Sequence, residues 1–288
     1  MKKVSIIIPH YNTPKLLKKL IESIQPIEMF QVIVVDDYSD KDLEAYSQCK
    51  RIYEEKEVIF IQNNREKGAG VCRNIGLAHA VCEWILFADA DDYFLDGFYE
   101  KLQQHLSGHA DIIFFKTDSE EFITHKKERR HVLYCKLVDD FLKKNNVKNE
   151  VRLRYKFGPP WGKLIRRNLI EEHNITFDEI PVSNDIMFSV KCGFYARRIE
   201  ASDASLYRIV KMQGTLTQIK KDDLIKVRID TSLNKYIFLK KRLPPNEWKY
   251  LHLCRLMLIY NSYKNSYSKV AKKYLRKRMK EEKVPLIQ

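Results

Sequence analysis

What most limits the fold of this chain is a succession of short apolar runs in its first ninety residues, each stopping abruptly at polar or acidic side chains. Residues 4–8 (VSIII) run into Pro9-His10-Tyr11-Asn12, residues 31–35 (QVIVV) into Asp36-Asp37, and residues 84–88 (WILFA) into Asp89-Ala90-Asp91-Asp92. Runs of this length with flanking turn residues read as buried strands. Helical spacing lies between them. Thr13 stands where it can cap a helix, Pro14 follows in the first turn, and Leu16, Leu17, Leu20, Ile21 and Ile24 line one face. Residues 58–62 read as a further strand, and residues 70–80 as a helix with Val71, Ile75, Leu77 and Ala78 inward. The alternation predicts βαβ units and a mostly parallel sheet, an α/β fold. In such sheets ligands bind beyond the carboxyl ends of the strands, so the three polar strand ends mark one candidate site.

Beyond residue 110 the pattern loosens. Residues 111–115 suggest one more strand, 118–130 a polar loop, 137–142 a short helix and 164–173 another helix after the turn cluster Gly158-Pro159-Pro160-Trp161-Gly162. The last third reads as helical, and no internal repeat is visible. No apolar run approaches the ~20 residues that span a bilayer. The apolar stretch after Met1-Lys2-Lys3 ends at Pro9, short of a signal-peptide core of ~7 to 15 residues, so the start reads as that of a mature, cytoplasmic chain. The six cysteines form no C-x-x-C pair and the eight histidines no H-E-x-x-H motif, so any metal is expected to be held by oxygen. The formal net charge of +14 is unevenly placed: residues 1–100 hold 12 Lys/Arg and 17 Asp/Glu, whereas residues 205–288 hold 21 and 6. An acidic front and a basic tail imply two separate tasks and argue against a nucleic-acid binder with a uniform basic surface.

Asp89, Asp91 and Asp92, crowded after a buried strand, would repel one another unless a cation or hydrogen-bond donors compensate; magnesium or manganese is the natural compensator, and a solvated acidic turn the structural alternative. Asp36 and Asp37 can cap a helix, or Asp37 can accept a hydrogen bond from the N–H of a pyrimidine base, on which Tyr11 could stack. Arg73-Asn74 opens a helix behind Gly68-Ala69-Gly70, a combination suited to phosphate or nucleotide. It is not a dinucleotide fingerprint, because no glycine follows the first strand and Arg73 occupies the third glycine position. Asp185, after Asn184, either belongs to a helix cap or projects into the cleft as a general base.

Six ordered segments together resemble the family 2 glycosyltransferases of the GT-A fold: VSIIIPHYN from Val4, VIVVDDYSD from Val32, GAGVCRNIGL from Gly68, FADADD from Phe87, WGKLIRR from Trp161 and NDIMF ending at Phe188. The resemblance covers about residues 3 to 210. It implies a GT-A catalytic domain over 1–210, with a nucleotide-sugar half over 1–110 and an acceptor-side half over 111–210, followed by a helical basic region over 211–288. It implies a UDP-sugar donor, a glycan or lipid-linked saccharide acceptor, and a role in surface polysaccharide or lipopolysaccharide synthesis. Residue by residue, Pro9, Tyr11 and Asp37 take the uridine pocket, Arg73 the place beside the nucleotide, Asp89 the ribose or donor sugar, Asp91 the metal, Asp92 the donor, and Asp185 the catalytic base. Asn184 stands where an acid is more common in the family. Trp161 and Lys163 fall near the acceptor cleft, where loop packing is the competing role.

The expected reaction is inverting and metal-dependent: the cation stabilises the leaving diphosphate while Asp185 takes the proton of the attacking hydroxyl. Residues 268–280 are expected to form a helix with Val270, Ala271, Tyr274, Leu275 and Met279 on or near one face and cations elsewhere. It would lie on the anionic inner face of the plasma membrane, or pack on a subunit. A phosphatase reading fails because Tyr93 stands where Thr or Val is needed. The non-catalytic alternative is a membrane-surface or acidic-polymer adaptor with structural carboxylates.

Overall fold

The computed structural model describes residues 2–212 and 221–286; parts of the expected 211–288 region, residues 213–220 and 287–288, lie outside them. The chain begins β1 (Val4–His10), α1 (Pro14–Ser23), β2 (Phe30–Asp36), α2 (Leu43–Glu54), β3 (Ile59–Gln62), α3 (Ala69–His79), β4 (Trp84–Phe87), β5 (Tyr93–Phe94) and α4 (Phe98–Gln103). It continues β6 (Ile112–Glu121), α5 (Val132–Lys143), α6 (Val147–Tyr155), β7 (Lys163–Arg166), α7 (Arg167–Glu172), α8 (Asn184–Tyr195) and β8 (Ile199–Lys211). Four helices follow: α9 (Asp222–Lys240), α10 (Pro245–Trp248), α11 (Arg255–Lys264) and α12 (Lys269–Glu281).

The strands form one eight-stranded mixed sheet in the order β3-β2-β1-β4-β7-β6-β8-β5. Its first four positions are parallel, and their register fixes the site. β1 pairs with β2 from Val4↔Phe30 to His10↔Asp36, and with β4 from Val4↔Trp84 to Ile7↔Phe87. The strands therefore finish level, with the Asp37 N–H donating to the His10 carbonyl and the Ala88 N–H to the Ile7 carbonyl. Because helices cover both faces, every residue of β2 is buried, and β1 is buried except at Pro9. α3 lies close against β1: a Cβ on Gly76 would come within 2.3 Å of Ile7 Cγ2, so glycine permits that approach.

Several sequence expectations are corrected. The Thr13 side chain accepts no capping hydrogen bond; its backbone N–H instead donates to His10 Nε2. Residues 118–121, expected in a loop, extend β6, which runs alongside the unanticipated thirteen-residue β8. β8 is polar enough (EASDAS) to hide its strand character, and long-range pairing with β6 supplies the hydrogen bonds. Leu164 and Ile165, expected in a helix, form β7, antiparallel to both β4 and β6; helix begins only at Arg167. Two adjacent apolar residues fit either period, and the sheet decides between them.

A second buried cluster joins α6 and α8 to the C-terminal helices through Val151, Tyr155, Val190, Ile229, Leu233 and Leu275, among others. Here the expectation for residues 268–280 changes. Ala271, Leu275 and Met279 are buried in this cluster and Tyr274 donates to Asp230 of α9, so the apolar face of α12 is core and is not available to lipid. No described helix is long and apolar enough to cross a membrane. Leu275→Ala should lower stability by about 2–5 kcal/mol, whereas Val270→Ala on the exposed face should change it by less than about 0.5 kcal/mol. Chemical denaturation of the two variants checks this.

Candidate active site

A cleft of about 630 Å³ opens at the carboxyl ends of β1, β2 and β4, closed on its far side by the start of α8. At its base end, His10 and Asp36 form a buried pair, Nδ1 to Oδ1 at 2.7 Å. Since His10 Nε2 accepts from the Thr13 N–H at 3.2 Å, the imidazole proton sits on Nδ1 and is donated to Asp36. The Asp36 carboxylate also accepts from the backbone N–H and hydroxyl of Ser39 at 3.0 and 2.6 Å. Burial by itself would raise the Asp36 carboxyl, but His10 and Ser39 outweigh it and hold the group at about 2. Asp37 is buried beside them; its Oδ1 accepts from Asn63 Nδ2 at 2.8 Å and from the Gly68 N–H at 3.1 Å. Pro9, Tyr11 and Asp37 all line the cleft. The exposed Tyr11 ring carries Lys67 Nζ 3.5 Å above its centroid, so one ring face already meets a cation.

The acidic segment and α8 are joined by one side chain. Arg73, almost wholly buried on α3, donates through Nη2 to Asp89 Oδ1 at 2.6 Å and through Nη1 to Asn184 Oδ1 at 2.9 Å. The glycine before it serves packing: a Cβ on Gly70 would meet the Asp178 carbonyl at 2.4 Å, so glycine lets residues 178–184 close over the start of α3. Asn184 is therefore tied to Arg73 while Asp185 next to it lines the cleft; α8 begins after Ser183, and no side chain caps it. Burial pushes the Asp185 carboxyl upward, with the Arg73 charge opposing.

The three acids after β4 have different fates. Asp89 is neutralised by Arg73. Asp92 is buried and accepts from the Val210 N–H at 2.7 Å, and the Tyr207 hydroxyl, which itself accepts from the Asp89 N–H at 2.8 Å, also bonds to it. Asp91 is answered by its own backbone N–H and by the charges of Arg130 and Arg73; burial first, then the Asp89 carboxylate, push it up to about 6. An under-compensated carboxylate at the cleft wall is where a divalent cation would be most favourable.

A profile described as Glycosyl transferase family 2 matches residues 5–173. The chain belongs to this family. Among curated relatives, it is 27% identical over 212 residues to the "Putative glycosyltransferase EpsH" of Bacillus subtilis, a match covering 71% of this chain and 59% of that one. It is 30% identical over 222 residues to the poly(ribitol-phosphate) beta-glucosyltransferase of Bacillus spizizenii, covering 74% of this chain but 33% of the relative. The chain thus matches less than two thirds of either relative's own length. The crystal structure of Staphylococcus aureus TarS with UDP-GlcNAc superposes with a TM-score of 0.61 at 23% identity, covering 81% of this chain and 67% of that one, and shares the GT-A fold.

In this family 2 site the fit to a cation is that of a single free carboxylate. Among the described residues no three His, Cys, Asp or Glu side chains converge on one point, so Asp91 would hold magnesium or manganese together with donor phosphate oxygens and water. Of the two residues expected near an acceptor, Trp161 lines the cleft, packed edge-on against Tyr134 and Phe157. Lys163 does not line it: its buried ammonium donates to the Phe157 carbonyl at 3.0 Å and Ser189 Oγ at 3.1 Å, tying the turn at 157–162 to α8. Burial lowers Lys163 to about 7 against the opposing charge of Asp185.

Sequence reasoning missed His10, Asn63 and the cations Arg130 and Arg228, the latter two lining the cleft from positions far along the chain. His10 was legible in principle, since it ends the strand that pairs with Asp36; Arg228, on α9, had no local signal. The depressed Asp36 carboxyl contributes stability that is complete above the ordinary carboxylate value near pH ~4 and is lost as pH falls towards 2. Asp36→Asn should therefore cost about 1–3 kcal/mol at pH 7, with the gap to the native chain narrowing between pH ~4 and ~2. Denaturant titrations across that range measure it.

Proposed function

We propose that this chain transfers a sugar from a UDP-sugar to a hydroxyl of a polymeric or lipid-linked saccharide, with inversion at the anomeric carbon. The observation that carries this reading is the Arg73 guanidinium, which grips Asp89 on one side and Asn184 on the other. It sets the acid cluster and Asp185 on facing walls of one cleft. The strand-end pocket of Pro9, Tyr11 and Asp37 takes the uracil, with Asp37 accepting from the base N–H. Asp89 faces the ribose or sugar. A divalent cation at Asp91, when bound, supplies positive charge to the leaving diphosphate. Asp185 accepts the proton of the acceptor hydroxyl as that oxygen attacks the anomeric carbon, and the desolvation that raises its carboxyl favours a base nearer working pH. Arg73 keeps the two ends of this arrangement in register.

The UDP assignment is supported by the TarS crystal structure, a complex with UDP-GlcNAc, and the polymeric acceptor by the poly(ribitol-phosphate) named for the Bacillus spizizenii relative. Asp92 takes a supporting part: tied to the Val210 N–H, it holds the acidic segment against β8.

Asp185→Asn should lower transfer by about 10²–10⁴-fold while leaving UDP-sugar affinity nearly unchanged. Asp91→Ala should remove the manganese dependence of UDP-sugar binding along with transfer. UDP release across a donor panel, with and without chelator, together with calorimetric UDP binding, reads both. Native turnover in either variant would overturn the role given to that residue.

A further inference from the structure

α11 is packed against its own chemistry. Its one fully buried side chain is Ser262, whereas Leu256, Met257, Tyr260 and Tyr263 are 50%, 40%, 61% and 54% exposed. At about 100° per residue, Leu256, Tyr260 and Tyr263 fall on one narrow strip of the helix, with Met257 on its flank. The strip continues at both ends. At one, the Leu256 N–H donates to the carbonyl of Leu286, whose side chain is also exposed. At the other, Lys272 Nζ sits 4.0 Å above the Tyr263 ring and Arg276 Nη2 donates to the Tyr263 hydroxyl at 3.3 Å. The apolar ridge therefore runs directly into the outer face of α12, where Lys269, Lys273, Arg276, Lys277 and Lys280 are exposed. The carboxylates near that face, Glu281 and Glu282, cluster at its end, paired with Arg278 and, for Glu281, Lys277.

We infer that the α11 ridge and the outer face of α12 form a docking surface for a bilayer containing anionic lipids. Leu256, Met257, Tyr260 and Leu286 enter the headgroup boundary, and the α12 cations lie over the lipid phosphates. An exposed row of large apolar side chains is costly in water and marks an interaction site. Tyrosines combine an apolar ring with a polar tip suited to a membrane interface. Charge selects the occupant. A second copy docking by the same patch would bring two rows of lysines together, whereas an anionic lipid surface complements them, each Lys or Arg strengthening binding about fivefold. The surface is distinct from the apolar face of α12, which is core, and it does not depend on what the cleft transfers.

The test is vesicle co-sedimentation of the full chain with phosphatidylcholine alone or mixed with phosphatidylglycerol. The native chain should bind the mixed vesicles and bind pure phosphatidylcholine at least about tenfold more weakly. Leu256→Ser with Tyr260→Ser, and separately Lys269→Glu with Lys273→Glu, should each weaken binding to mixed vesicles by about tenfold or more, with unchanged circular dichroism melts. Lys143→Glu with Lys144→Glu, an equal charge change at the exposed end of α5, should leave binding nearly native. Failure of the native chain to bind mixed vesicles would overturn the inference. So would an equal loss in the α5 variant, which would reduce the effect to net charge. Sedimentation velocity showing a dimer that Leu256→Ser with Tyr260→Ser dissociates, with vesicle binding intact, would assign the ridge to a second copy instead.

Discussion

The Arg73 guanidinium is the interaction on which the site depends. It is nearly buried, and a buried cation without partners would be strongly unfavourable; here Asp89 supplies the charge and Asn184 a neutral acceptor. These two partners come from segments about a hundred residues apart, one following β4 and the other opening α8. Removing the guanidinium would leave Asp89 facing Asp91 and Asp92 without compensation, and would free α8 from α3. Packing supports the same junction, since only glycine at position 70 allows the Asp178 carbonyl to approach α3 so closely.

Around this junction the acids are graded by their surroundings. Asp36 is held low by His10 and Ser39, Asp89 is paired, Asp92 is pushed well up by full burial and by its acidic neighbours against the Val210 N–H and Tyr207, and Asp91 is raised to about 6. Chemically similar carboxylates thus take different parts because each meets a different number of donors and a different depth of burial. The neutral Asn184 fits this grading. An acid there would offer Arg73 a second charge to balance, whereas the amide accepts one hydrogen bond and leaves the guanidinium's charge for Asp89 and Asp185.

The C-terminal helices show the same point through packing. The periodicity of residues 268–280 correctly indicates an amphipathic helix, but amphipathicity alone does not say what the apolar face meets. α12 turns Ala271, Leu275 and Met279 onto α9, while α11, whose pattern is less regular, leaves Leu256, Met257, Tyr260 and Tyr263 in solvent. In β7 and β8 the weakness is different: Leu164-Ile165 is too short to show a period, and β8 is too polar, so pairing partners remote in sequence decide both.

What the sequence determined by itself was the parallel front of the sheet and the polar ends of β1, β2 and β4, because buried strands are apolar throughout and stop where the chain must meet water or ligand. It also marked Asp37, Arg73, Asp91 and Asp185 as side chains that needed partners. Only the tertiary structure decided who those partners are. Hydrogen bonds and burial act over a few ångströms in space, so the pairing of Arg73 with Asn184, the withdrawal of Lys163 beneath α8 and the entry of Arg228 into the cleft follow from the fold and leave no trace in local spacing.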